Sequence, residues 1–314
     1  MRARHDIFIT GAAAIRPIVN GVLDDSLLAK ERRSPKIGIL PLKARMVLAA
    51  AAQCLPASQL AADTLAPDIG VSLGTAYGSM DVAELSLRTV YDAGFKHVVP
   101  SWYATGLPNA TAAIIAALYK LGGPNLTLLG CQAGMDAIIH GCRQIANGRA
   151  ATMLVGGFDM PSDVIGANLA HGDEDLAERA QAHWKERRSS TPIVEAGVGL
   201  LCLSNKAPAS GALARVVGWA QQPRRANITE QAHRTALLTQ AMAHAQVEEL
   251  PQVHVIDQLH LERAGSQLAA SAPIYLVQQV QQVQQGHERH GRALHAVLSV
   301  GIGQSDSCLL LEKI

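Results

Sequence analysis

The residue best placed for chemistry is Cys131. It lies in the segment Leu126–Asp159, where a strand-like LTLL runs into Gly130 and then Cys131. A helical pattern follows, with Ile138, Ile139 and Ile145 on one face, and then a second strand, TMLVGG. A cysteine at a helix N-terminus meets free backbone N–H groups and the positive end of the helix dipole. That setting favours the thiolate and a lowered pKa, which makes Cys131 a candidate nucleophile or the relic of one. The opposite reading stays open, because cysteine is among the most buried residue types. The G-x-nucleophile-x-G elbow of α/β-hydrolases is absent around it. Cys142, further along the same helix, reads as core. The remaining cysteines (54, 202 and 308) are scattered and no CxxC pair occurs. A zinc site or a disulfide framework is therefore not expected, and a reducing cytoplasm is.

Other chemistry-bearing residues are weaker. His287-x-x-His290 with His295 has ligand-like types, but no carboxylate pattern supports it and it falls in a loop-like stretch, so no metal is expected. The Gly74–Gly78 turn lacks the P-loop lysine and the dinucleotide fingerprint, so no nucleotide cofactor is expected. His254 sits inside a strand pattern and reads as structural. Arg187-Arg188 and Arg224-Arg225 could meet an acidic partner or simply be solvated.

These residues must be held by an α/β framework. Short apolar runs, several ending in glycine, predict strands at Asp6–Thr10, Asp68–Leu73, Asn125–Leu129, Ala151–Val155, Gly197–Leu203, Ala212–Trp219, Val253–Asp257, Leu294–Val300 and Cys308–Leu311. Apolar residues at three-to-four spacing predict helices at Leu42–Cys54, Leu107–Leu121, Ala133–Ala146, Thr229–Ala245 and Ala272–Gln285. Valines at 277, 280 and 283 form a narrow packing stripe on the last. Alternating strands and helices imply a largely parallel sheet. Asp173–Arg188 reads as an exposed helical excursion and Gln284–Arg292 as a solvated loop. The Pro/Ala/Ser/Gly stretch Ala207–Gly211 marks a seam between two βα halves, 1–206 and 207–314.

Composition narrows the function classes. The 314 residues carry 27 basic and 26 acidic side chains, which argues against nucleic-acid binding. Charged residues make up 17%, against about 25% in ordinary soluble chains, which hints at surface covered by another subunit. The longest apolar stretches, Met46–Ala52 and Ala110–Tyr119, fall well short of the ~18 residues of a spanning helix. Met1–Thr10 reads as a first strand, not a signal peptide.

The segment around Cys131 resembles the active-cysteine region of ketosynthases, thiolase-fold enzymes that condense acyl thioesters. Cys131, Gly134, Ile145, Gly148, Gly156 and Gly157 match that region without a gap. Phe8-Ile9-Thr10-Gly11, Gly70–Gly78, Leu107-Pro108-Asn109, Leu121–Pro124, Val194–Leu203 and Ser299–Ser307 resemble further family segments in the same order. The resemblance implies a thiolase-like fold, two similar βα halves in a layered α-β-α-β-α arrangement. It implies an oxyanion hole from the backbone N–H groups of Cys131 and Ile302. It also places Leu107, Met135 and Ile302 along an acyl tunnel.

The departures bear on function. Family enzymes pair the cysteine with two histidines, one in H-G-T-G-T and one in K-S-x-x-G-H, and neither motif occurs here. Leu259-His260-Leu261 stands near the first, with His260 one residue out of register. Gly265 falls about where the second histidine belongs, just before Ala269-Ala270-Ser271-Ala272. Some twenty connecting residues are missing, and the chain is shorter than an ordinary ketosynthase. Without the two donors, decarboxylative condensation should fail, because nothing stabilises the enolate. The pattern resembles the chain-length factor of type II polyketide systems, as does Gln132–Ala137. That family shapes the acyl tunnel and stabilises a ketosynthase partner, here expected in polyketide, aryl polyene or fatty-acid-like biosynthesis. The implied partners are a complete ketosynthase or a second copy of this chain, and an acyl carrier protein. Strand Asn125–Leu129 would pair antiparallel across the dimer axis. The rival is an enzyme in which Cys131, with His260 or another base, transfers acyl groups from carrier-protein thioesters.

Overall fold

The computed structural model describes residues 6–15, 40–56, 64–160, 162, 196–209, 211–223, 229–257, 268–285, 294–300 and 305–314. Each expected strand is present there. They are β1 (Ile7–Ile15), β2 (Ile69–Thr75), β3 (Asn125–Leu129), β4 (Thr152–Asp159), β5 (Gly197–Ser204), β6 (Ala214–Pro223), β7 (Gln252–Asp257), β8 (Leu294–Val300) and β9 (Ser305–Glu312). The helices are α1 (Leu42–Cys54), α2 (Met80–Ala93), α3 (Pro100–Thr105), α4 (Ala110–Leu118), α5 (Ala133–Ala146), α6 (Glu230–Ala245) and α7 (Ser271–Gln285). A short 3-10 turn, Leu268–Ala270, leads into α7.

Among the described residues the strands join in the order β3-β2-β4-β5-β1-β6-β9-β8-β7. Only β2–β3, β2–β4 and β7–β8 are parallel; β4–β5, β5–β1, β1–β6, β6–β9 and β8–β9 are antiparallel. The expected largely parallel sheet is therefore corrected to a mixed one. Strands covered on both faces read as continuous apolar runs whichever way they point, so the sequence pattern carried no direction.

Three apolar clusters build the layers. On one face α1 and α4 pack against alternate residues of β1, β2, β4 and β5, with Leu73, Leu154, Phe158 and Leu200 at the contact. On the other face α5 and α7 lie between those strands and β6, β8 and β9. Ile138, Ile145, Val277 and Val280 meet Leu201, Leu203, Val297 and Leu309 there. Beyond them α6 covers the far side through Leu237 and Ala241 against Leu298, Cys308 and Leu310. Cys308 and Leu309 thus face opposite layers, as the period of two requires. The result is the layered α-β-α-β-α arrangement.

Two helices escape the sequence reading. α2 and α3 lie on the outside, and Val82 is the buried residue of α2. The buried Lys43 of α1 ties α2 down by donating to Asp81 Oδ1 at 2.6 Å. α4 is shorter than the expected 107–121. Pro108 disfavours a helical Leu107, and Lys120 at φ 55° marks the far end. The segments 173–188 and 286–292, and both arginine pairs, lie outside the described residues.

Candidate functional site

Cys131 stands where β3 turns into α5. Gly130 makes that turn at φ 137°, a conformation that favours glycine. Its N–H donates to the carbonyl of Thr75 at 3.0 Å, fastening the turn to the end of β2. Its own carbonyl accepts from Ala133 N at 3.0 Å, which starts the helix. Cys131 is half-buried, whereas Cys54, Cys142, Cys202 and Cys308 are buried. Burial pushes the Cys142 thiol up to about 12, as expected of a core cysteine.

The expected lowering of the Cys131 pKa is not what the structure shows. Burial pushes the thiol up, the nearby Asp159 carboxylate pushes it further, and a hydrogen bond from the cysteine's own backbone opposes them only in part. Local helix geometry favours the thiolate, but desolvation and a like charge outweigh it.

Asp159 went unnoticed in the sequence. It ends β4 directly after Gly156-Gly157-Phe158 and is buried. Its Oδ1 accepts from Thr75 Oγ1 and from Ala76 N, both at 2.9 Å, and its Oδ2 accepts from Ala269 N at 2.6 Å. Burial raises its pKa to about 7, against the lowering from these neutral donors. The signal was a carboxylate closing an otherwise apolar strand beside the cysteine turn. Tyr77, in the loop after β2, joins the group. Burial, then Cys131, then Asp159 push its phenol up.

The later segments close on the same turn. A methyl group at either Gly134 or Gly157 would overlap the carbonyl oxygen of Ala269, so only glycines let the start of α7 seat there. Ser299 of β8 donates to Gln132 Oε1 at 2.5 Å. Asp136 Oδ1 accepts from Gln221 Nε2 of β6 at 2.7 Å and from Ser307 Oγ of β9 at 3.2 Å. Asp306 pairs with the buried His233 of α6 at 3.0 Å. Both strands that flank residues 301–304 are thereby anchored to the first turn of α5.

The other expected site residues divide. Met135 is sealed in the central core, one turn from Cys131. Leu107 is on the surface before α4, its carbonyl accepting from Ser79 Oγ at 3.0 Å. His260, Gly265 and Ile302 lie outside the described residues, as do His287 and His290. His254 is held in β7 and stacks on His295 of β8 with ring centroids 5.5 Å apart. Among the described residues no three histidine, cysteine or acidic side chains gather as a metal would require. No helix among them is long and apolar enough to cross a membrane.

Comparison with solved structures decides the fold. The ishigamide ketosynthase/chain length factor superposes over 98% of this chain and 99% of its own, with a TM-score of 0.72 at 19% identity. A type II PKS acyl-carrier protein in complex with its ketosynthase provides a second match, with a TM-score of 0.69 at 16% identity over 99% of this chain and 100% of that one. The fold is that of the ketosynthases. Residues 40–178 of this ketosynthase-like chain match the family Beta-ketoacyl synthase, N-terminal domain. The stretch includes Tyr77, Cys131 and Asp159. Similar proteins include the 3-oxoacyl-[acyl-carrier-protein] synthase 2 of Coxiella burnetii, 26% identical over 148 residues, and that of Vibrio cholerae, 27% identical over 162. These matches cover 45% and 48% of the ketosynthase-like chain but only 35% and 39% of the relatives' own lengths.

Proposed function

We propose that this ketosynthase-like chain is a non-condensing partner, of the chain-length-factor type, for a complete ketosynthase. It acts in cytoplasmic type II polyketide, aryl polyene or fatty-acid-like biosynthesis, where it shapes the acyl tunnel and stabilises the heterodimer. One observation carries this reading. Ten residues, 258–267, separate the end of β7 from the turn at Leu268, and they contain neither histidine motif. Two donors are needed to hold the malonyl thioester carbonyl as carbon dioxide leaves, and that stretch has no room for both motifs.

A surface suited to a partner supports the reading. β3 is an edge strand of the sequence NLTLL, with no charge to discourage pairing. Leu129 at its end is exposed, as are Leu87, Tyr91, Phe95 and Tyr103 on and between α2 and α3. Aromatic side chains of this kind are favoured anchors at interfaces. The division at 206/207 would let residues 1–206 supply this face while 207–314 close the cysteine site from behind. The acyl carrier protein would deliver chains to the assembled pair.

The test is co-purification with neighbouring gene products, followed by incubation of the chain alone with acyl- and malonyl-carrier protein. A ketosynthase partner and no elongated product are expected. Elongation by the chain alone overturns the reading. The alternative, a Cys131-dependent acyltransferase or ketosynthase, draws on the half-exposed position of that thiol. It requires an acyl adduct by mass spectrometry that disappears in Cys131→Ala.

A further inference from the structure

We propose that Asp159 is the positioning residue of the cysteine site: it fixes the Cys131 turn, seats the start of α7 beside it, and by its own protonation state governs how readily Cys131 reacts. The inference goes beyond the partner reading and rests on it only in taking Cys131 as the acyl-facing position.

The geometry is continuous. Asp159 Oδ1 holds the Thr75 hydroxyl and Ala76 N–H, and the same Thr75 hydroxyl accepts from Gly78 N at 3.1 Å. The Thr75 carbonyl receives Gly130 N–H, so one residue links the carboxylate to the turn bearing Cys131. The other oxygen, Oδ2, takes Ala269 N–H, which belongs to a segment 110 residues later in the chain. Both oxygens are thus committed, each to a backbone N–H and Oδ1 also to the Thr75 hydroxyl, which holds the carboxylate in place.

The electrostatics follow from that placement. The groups holding Asp159 are neutral, so they stabilise its charge without cancelling it. Among the described residues, its titratable neighbours include Cys131, from the β3–α5 turn, and Tyr77, from the loop after β2. An ionised Asp159 opposes a second negative charge on Cys131, and a protonated one does not. Because Asp159 titrates near neutrality, the cysteine would sense that change within the ordinary working range of pH.

The test uses the full chain and iodoacetamide, with alkylation of Cys131 followed by peptide mass spectrometry between about pH 5.5 and 10. The wild type is expected to show a shoulder near pH 7 and then a main rise displaced to high pH. Asp159→Asn should lose the shoulder and move the main rise downward, so that alkylation at mildly alkaline pH is about fivefold faster. Thr75→Val keeps the charge and removes one donor. It should move the shoulder to higher pH, a displacement that a merely structural role would not produce. Superposed wild-type and Asp159→Asn profiles, or an unmoved shoulder in a folded Thr75→Val, overturn the inference. If Asp159→Asn does not fold, Thr75→Val alone decides. Acyl-thioester adducts are measured in the same samples. Missing adducts with the expected profiles sink the acyltransferase alternative and leave the role of Asp159 standing.

Discussion

The segments before residue 205 and those after residue 213 meet Cys131 on unequal terms. The earlier segments bring Cys131 itself, Tyr77, Asp159 and Asp136 to the turn. Among the described residues, the later ones bring neutral donors to the same turn. These are the Ala269 N–H, the Ser299 and Ser307 hydroxyls and the Gln221 amide. The later segments therefore grip the cysteine helix closely through neutral donors, while their own acid and base, Asp306 and His233, pair with each other. Support and chemistry are separable here, and the fit of the support is set by glycines and buried hydrogen bonds, not by reactive groups.

Four measurements test that contrast. The largest effect is expected from Asp159, where the two sides join. Its folded pKa is raised to about 7 from 3.8, so the folded chain keeps a proton that the unfolded chain has lost. The stability it contributes is full below about pH 4 and is lost as pH rises to about 7. Urea unfolding should show wild type losing roughly 4 kcal/mol at most relative to Asp159→Asn across that window. A constant difference between the two would remove Asp159 from the junction.

Next comes Gly134→Ala, whose methyl meets the Ala269 carbonyl. Overpacking against backbone should cost about 3 kcal/mol, read as a lower urea midpoint, and a near-neutral result would mean that the two sides do not touch as described. Asp136→Ala leaves Gln221 and Ser307 without their shared acceptor and should cost about 2 kcal/mol. Ser299→Ala removes the bond to Gln132 and should cost about 1 kcal/mol in the same assay. If Ser299→Ala proves costlier than Asp136→Ala, the grip lies at β8 and not at β6 and β9.

Much of the framework was legible in the residues. All nine strands fall where apolar runs predicted, and α1 and α5 match to the residue. α2 and α3 were missed; they lie on the outside, and of the apolar residues of α2 only Val82 is buried, while Leu85, Leu87, Val90 and Tyr91 are exposed. The cysteine turn was found, since Gly130 and the helical pattern behind it are local signals. Asp159 was not, because its importance depends on Thr75, Ala76 and Ala269, from segments far from it in sequence.

Local windows fixed the approximate place of each strand, which cysteine heads a helix, and that both histidine motifs are missing. Period, glycine placement and motif content are properties of short windows. The tertiary structure alone decided the direction of the strands, the anchoring of α5 by later segments, and the upward displacement of the Cys131 thiol. Strand direction depends on which runs become neighbours, and a pKa depends on how much water and which charges the finished fold leaves beside the group.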